Sequence, residues 1–320
     1  MSAQIHAWHK AFTDPAGGFY ERLDNNLKPI DQPKRLVTQC RQLYVYASAG
    51  IDVSKQYDFL QKNYRDPDTG GSRFSLGDDT YDLYGLTFVI LACAALNKQD
   101  YALETIKFID KNFRHTRSGL VNALDADLNP IAGPLTQNPH MHLLESCLAM
   151  AEVSGEQIYR VMADEMVELF FDHFFDGVLH EIAGTDLIEA GHQSEWIWLL
   201  KRYRDVSGSD DPRIADAMAS LFDWVRLHAS DIRHGGIFNA QKRDGTIIDD
   251  KKRIWPLTET IRAARLMGDA KMDQDLSAVL KKSYLRPDGF WTEILNRDLT
   301  PFTDYLPGTT PYHLVAVLQK

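Results

Sequence analysis

The sequence predicts an all-α fold, an (α/α)6 barrel of six helical hairpins in a toroid with short β-hairpin connections at one end. Three observations predict it. A short Gly-centred segment recurs six times along the 320 residues. Between its copies lie paired stretches whose apolar residues repeat with helical periodicity. The second stretch of each pair is apolar around most of its circumference, as a helix covered on most sides should be.

The recurring segments are AGGFYERLDNNLKPI, TGGSRFSL, RSGLVNALDADLNPI, FDGVLHEIAGTDLI, HGGIFNAQKRDGTII and PDGFWTEILNRDLTPF. Their glycines, Gly18, Gly71, Gly119, Gly177, Gly236 and Gly289, stand 53, 48, 58, 59 and 53 residues apart, so six units use up the chain. Repeats of about this period mark stacked supersecondary units. A turn glycine, a few apolar residues, a polar Asn/Asp tip and a second apolar pair read as a small β-hairpin. The first helix of each pair comes from stretches such as DYALETIKFIDKNFRH and RIADAMASLFDWVRLHA, the second from YDLYGLTFVILACAALN or GHQSEWIWLLKRYRDV. With the N-terminal helix this gives twelve helices. A closed ring needs no atypical end repeats, whereas an open solenoid, the alternative, would. Residues 1–320 are expected to form one catalytic domain.

Composition narrows the class. Hydrophobic residues make up 44 % and charged residues 25 %, the mix of a folded soluble protein rather than a disordered or fibrous one. The formal charge of −10 repels phosphate backbones and anionic membranes, so neither nucleic acid nor a membrane is an expected partner. Cys40, Cys93 and Cys147 each sit in an apolar helical run, which suits buried reduced thiols and a cytoplasmic protein. MSAQIHAWHKAF lacks the pattern of a signal peptide, and the apolar run LTFVILACAAL is too short to span a bilayer.

Polar and aromatic residues interrupt the early part of each second helix: Arg41 and Gln42; Tyr81 and Tyr84; Asn138, His140, His142 and Glu145; His192, Glu195 and Trp198; Trp255 and Glu259; Tyr312 and His313. In a closed ring all six sets lie at one end and converge on the axis. Rings, imidazoles, a guanidinium and carboxylates around one funnel would suit a small polar molecule with apolar faces, such as a sugar. Each residue alone also reads as packing: a buried histidine is commonly a hydrogen-bonded core residue, and an arginine commonly pairs with a neighbouring carboxylate. His140 and His142 point about 200° apart on a helix and cannot share an ion. No two-histidine helical zinc motif, phosphate loop or nucleophile elbow is present, so no metal or cofactor is expected.

The blocks RLVTQCRQLYVYASAG, YDLYGLTF, NPHMHLLES, GHQSEWIWLL, IWPLTETIRA and TTPYHL resemble, in order, those of the N-acylglucosamine 2-epimerase superfamily, nearest its mannose isomerase-like members. The resemblance runs from about Trp8 to His313. It implies an (α/α)6 barrel. It also implies that His192 and His313 are the two acid/base histidines and that Arg41 binds the sugar near its reacting oxygens. His142, Asn138, Tyr84, Glu195, Trp198, Trp255 and Glu259 match substrate-binding positions. The chain is shorter than many members, which disfavours a disaccharide substrate.

The expected function is an aldose–ketose isomerase of free monosaccharides, D-mannose to D-fructose, working by histidine proton transfer through an enediolate. Arg41 would stabilise the enediolate oxygen, and Glu195, one turn after His192, would orient that imidazole. A sugar 2-epimerase is the alternative within the family. A glycoside hydrolase using two of Glu145, Glu195 and Glu259 is the alternative from another class. The expected partner is the small-molecule sugar, and a homo-oligomer stays open.

Overall fold

A computed structural model describes residues 2–114 and 119–318; His115 and the Arg117–Ser118 head of the third turn segment lie outside the described residues. The chain divides into two compact units, residues 2–170 and 171–318. The first holds α1 (Ser2–Phe12), α2 (Leu36–Ser48), α3 (Ser54–Asn63), α4 (Leu83–Leu96), α5 (Gln99–Asn112), α6 (Gln137–Ser154) and α7 (Gln157–Leu169). The second holds α8 (Ala190–Ser207), α9 (Pro212–Trp224), α10 (Ile254–Met267), α11 (Ala270–Val279) and α12 (Pro311–Leu318). Twelve α-helices therefore stand where the periodicity put them among the described residues. None is long and apolar enough to cross a membrane.

Burial separates the two kinds of helix. In the first unit α2 and α6 flank α4, whose sequence LYGLTFVILACAAL is buried from Leu83 to Cys93 except at Tyr84. In the second unit α10 packs between α8 and α12. Helices α5, α7 and α9 bury one face only, carried by residues such as Ile106 and Ile109, Met162 and Met166, or Ile214 and Leu221. The three cysteines are buried free thiols.

The turn segments form local hairpins and also pair with one another. Among the described residues two close as short ladders, β1 (Arg22–Asp24) with β2 (Pro29–Ile30) and β5 (Ala240–Gln241) with β6 (Ile247–Asp249), and two close through single bridges, Leu124 to Pro130 and Leu295 to Pro301. In addition, residues just before a buried helix pair with the turn of the following repeat. Strand β3 (Tyr81–Asp82) pairs with β4 (Ala123–Leu124), and β7 (Lys252–Arg253) with β8 (Ile294–Leu295), both antiparallel. Ile188 forms the same kind of bridge to Gln241. An isolated two-stranded ribbon is marginal in water, and pairing across repeats gives these short strands a packed setting. The turn glycine is left-handed at Gly18, Gly119, Gly177, Gly236 and Gly289, but in the second repeat that role falls to Gly70. At Gly71 what matters is space, since a Cβ there would press into Phe108 and Tyr81.

Two lysines fasten a turn to the helix that follows it. Lys34 Nζ donates to Asp14 (2.6 Å) and to the Gly17 carbonyl (2.7 Å). Lys252, fully buried, donates to Asp231 (2.8 Å) and to the carbonyls of Gly235 (2.5 Å) and Arg297 (2.7 Å). Each lies two residues before its helix, in PKRL and KKRI, and all three ammonium donors of Lys252 are satisfied.

Candidate active site

In the unit of residues 2–170 the expected residues gather at the starts of α2, α4 and α6. Arg41 is buried and donates from Nη2 to the Tyr84 hydroxyl (2.6 Å). Its guanidinium lies 4.3 Å from the Phe88 ring centroid, a cation–π contact. Phe88 and Tyr84 pack on His142, with centroids 4.7 and 5.3 Å away. His142 donates from Nδ1 to Glu145 Oε2 (2.9 Å), its neighbour one turn along the same helix. Asn138 is the second residue of α6, and its Oδ1 is buried with no hydrogen-bond partner among the described residues.

Other polar residues from the same stretches serve the fold. His140 donates from Nδ1 to the Thr136 carbonyl and accepts the Leu120 amide on Nε2, which fixes it as a neutral ring bracing the turn. Tyr81 donates to Asp66, and Gln42 bonds Tyr46 and the Tyr20 carbonyl. For these three the packing reading holds.

The unit of residues 171–318 holds both expected acid/base histidines. His192, the third residue of α8, donates from Nδ1 to Glu181 Oε2 (2.8 Å). Glu189 lies 3.7 Å from the same nitrogen. His313, the third residue of α12, donates from Nδ1 to Glu259 Oε1 (2.8 Å). Glu259 Oε2 accepts from Trp198 Nε1 (3.1 Å) and lies 3.7 Å from the Arg262 guanidinium, which stacks 3.5 Å from the Trp198 ring. One side chain joins the two histidines: the Trp255 ring lies 4.7 Å from the His192 ring and 5.6 Å from that of His313. The imidazoles are thus no farther apart than those two lengths end to end. Gly191 makes room for this, because a Cβ there would overlap the Trp255 ring.

The electrostatics differ between the histidines' partners. Burial works against the His192 imidazolium, but Glu181, by charge and hydrogen bond, with Glu189 and Glu195 behind it, outweighs that and raises its pKa to about 9. Burial works against ionised Glu259, but the His313 bond and charge, Arg262 and the Trp198 N–H hold it below the usual carboxylate range. Glu189 is pushed up by burial.

One expectation changes. The carboxylate on Nδ1 of His192 is Glu181, from the turn segment GVLHE, and not Glu195, which is buried in α8 and adds to the field. The two tryptophan rings are partly covered: Arg262 lies over that of Trp198, and imidazoles flank that of Trp255. Glu181, Glu189, Phe88 and Arg262 were not singled out by sequence. Only Glu181 carried a signal, because GFYE, GVLHE and GFWTE each place a glutamate three or four residues after the turn glycine. The donor atoms of Glu181, Glu189 and His192 lie within 4.8 Å of one another. The Nδ1–H bond to Glu181 accounts for that closeness, and the trio reads as a proton-holding group.

The profile of the N-acylglucosamine 2-epimerase family matches residues 18–317, nearly the whole chain. The chain belongs to the N-acylglucosamine 2-epimerase family. Among its relatives a mannose-6-phosphate isomerase of Rhizobium meliloti is 27 % identical over 99 % of this chain and 93 % of its own length. A cellobiose 2-epimerase of Ruminococcus albus is 25 % identical over 97 % of this chain and 92 % of its own. A solved D-mannose isomerase superposes with a TM-score of 0.87 at 20 % identity, covering 99 % of this chain and 95 % of the other. The all-α, (α/α)6-barrel fold read from the repeats is the fold shared with that structure. As a member of this family the protein is an enzyme of the sugar isomerase and 2-epimerase type.

Proposed function

We propose that the protein isomerises a free aldose to its ketose, D-mannose to D-fructose, with residues 1–320 acting as one cytoplasmic catalytic domain. The observation that carries this reading is the His192–Trp255–His313 cluster, two imidazoles sharing one indole, each held at Nδ1 by its own carboxylate. Nδ1 held in this way leaves Nε2 as the atom that moves protons.

His192, raised to about 9, enters the cycle as the imidazolium, gives its proton to the ring oxygen as the C1–O5 bond breaks, and takes the O1 hydroxyl proton as the C1 aldehyde forms. His313 takes the proton from C2, the C2–H electrons form the C1–C2 double bond, and His192 gives its proton to the aldehyde oxygen. His313 then returns its proton to C1, His192 takes the O2 proton, and the ketose carbonyl forms at C2. Returning it instead to the opposite face of C2 would give the 2-epimer. Arg41 is the proposed partner of the enediolate oxygen, with Tyr84 and Phe88 fixing its guanidinium. Tyr84, Asn138 and His142 are proposed to bind substrate, along with Glu195, Trp198, Trp255 and Glu259.

The relative named for mannose 6-phosphate raises a phosphorylated substrate as a second reading. Around the histidines four carboxylates, Glu181, Glu189, Glu195 and Glu259, stand with the guanidinium groups of Arg253 and Arg262, and Arg262 is already engaged by Glu259. That field disfavours a dianion and favours a neutral sugar. Hydrolysis by a carboxylate pair is also disfavoured. A general acid needs a raised pKa, whereas Glu259 is lowered and bonded on both oxygens, and Glu145 is tied to His142.

Incubation with mannose and, separately, mannose 6-phosphate in D2O, with products identified by NMR, tests the proposal. Fructose from free mannose, carrying deuterium at C1, is expected. Glucose without fructose would make it a 2-epimerase, and turnover of the phosphate alone would overturn the neutral-sugar reading. Arg41→Ala is expected to lower kcat more than it raises KM, since the enediolate carries charge that the bound sugar lacks. Steady-state kinetics on mannose checks this, and a KM effect alone would make Arg41 a plain binding residue.

A further inference from the structure

We infer that Glu181 is the positioning residue of His192: a helix-capping carboxylate of the repeat, turned in the fourth unit to hold an imidazole as its protonated form. The geometry comes from comparing turn segments. In the first repeat Glu21 accepts the amide of Arg35, the residue before α2, and the hydroxyl of Thr38, the third residue of α2. In the fourth, Glu181 Oε1 accepts the amide of Glu189, the residue before α8, and Oε2 takes the Nδ1–H of His192, the third residue of α8. In the sixth, Glu293 accepts the hydroxyl of Thr310, the residue before α12, while the third residue, His313, turns to Glu259. One carboxylate therefore spans the start of α2 and of α8, and only in α8 is its second partner a group that titrates near neutrality.

Every charged group set against His192 bears on the outcome. Glu189 stands at the helix start, Glu195 on α8 itself, and Arg253 precedes α10, whose Trp255 packs on the ring. Arg253 and Asp249 act on Glu189 with opposite sign. Among the described residues Glu181 alone makes a hydrogen bond to the imidazole, so it fixes ring direction as well as charge. A glutamine there keeps an acceptor for one of the two bonds but loses the negative charge. The inference rests on the proposed function only for its kinetic readout, because the titration below needs no substrate.

The test follows the His192 Cε1–H resonance by NMR against pH, assigned by its loss in His192→Gln. In the wild-type protein the midpoint is expected near 9. In Glu181→Gln it should fall by more than about one unit, and Glu181→Asp, which keeps the charge, should restore most of it. The alkaline limb of the kcat–pH profile should move with it. Glu21→Gln serves as the control for capping: it should lower the thermal midpoint and leave the His192 titration in place. An unmoved midpoint in Glu181→Gln would overturn the inference, whatever happened to activity, because the glutamate would then be only a helix cap. Should Glu181→Gln not fold, a wild-type midpoint at or below the ordinary value of about 6.5 overturns it just as firmly. No mannose turnover by the wild-type protein, with the titration as expected, would count against the proposed substrate and leave Glu181 in its role.

Discussion

His313→Ala is expected to lower kcat on mannose by about 10²–10⁴-fold, the usual worth of a positioned acid or base. The fold should survive. His313 is the third residue of α12 and its ring meets Trp255 and Tyr312, but its carboxylate partner keeps the Trp198 N–H and the nearby Arg262 when the imidazole is gone. Glu259 is thus not left as a bare buried charge, the condition that makes removal of one ionic partner so destabilising. Stopped-time assays of fructose, read beside far-ultraviolet circular dichroism, check both halves. Turnover within about tenfold of wild type would take His313 out of the proton transfer.

Lys252→Met is expected to reduce unfolding free energy by about 3–5 kcal/mol, the range found when a buried pair loses one member. Methionine fills the space of the stem but leaves Asp231, itself buried, without its closest cation, and two turn carbonyls lose their donor. Arg297, 3.5 Å from Asp231, sets the low end of the range. Burial tends to raise the Asp231 pKa, but the Lys252 bond and the amides of Arg233 and His234 hold it well below the usual range. A carboxylate lowered in the folded state stabilises above its unfolded pKa, and that contribution fades as pH falls through the folded value. The deficit of Lys252→Met should therefore be largest at neutral pH and narrow towards pH ~4, where a stranded Asp231 takes up a proton. Urea unfolding at the two pH values checks it, and an equal deficit at both would mean that lost packing, not the stranded charge, is responsible.

The number and order of helices could be read from the sequence because an apolar stripe at helical spacing is local information. So could the repeat, since a left-handed turn needs glycine at nearly the same place each time. The pairing of the turn segments could not. β3 finds β4 and β7 finds β8 across whole helices, and two-residue strands carry no periodicity to reveal a partner. The same split runs through the site. His192, His313, Trp255 and Glu259 could be named from their blocks, and the structure brings them together around one indole. What spacing misjudged was the partner of His192. Glu195 lies on its own helix, one turn away, and looked the natural choice, but the hydrogen bond goes to Glu181 in the turn before the helix. His140 shows the opposite error, a histidine of the same block wholly used in bracing the backbone.

The two imidazole–carboxylate pairs differ in how far apart their members lie along the chain, 11 residues for His192 with Glu181 and 54 for His313 with Glu259. On the ribosome the first pair can close as soon as α8 has emerged, whereas the second must wait for more than fifty further residues to be translated. In the mechanism proposed above, a nascent chain therefore carries half of its proton-relay equipment for an appreciable part of its synthesis. By the same mechanism it gains the power to act on sugar only when the segment bearing His313 has docked.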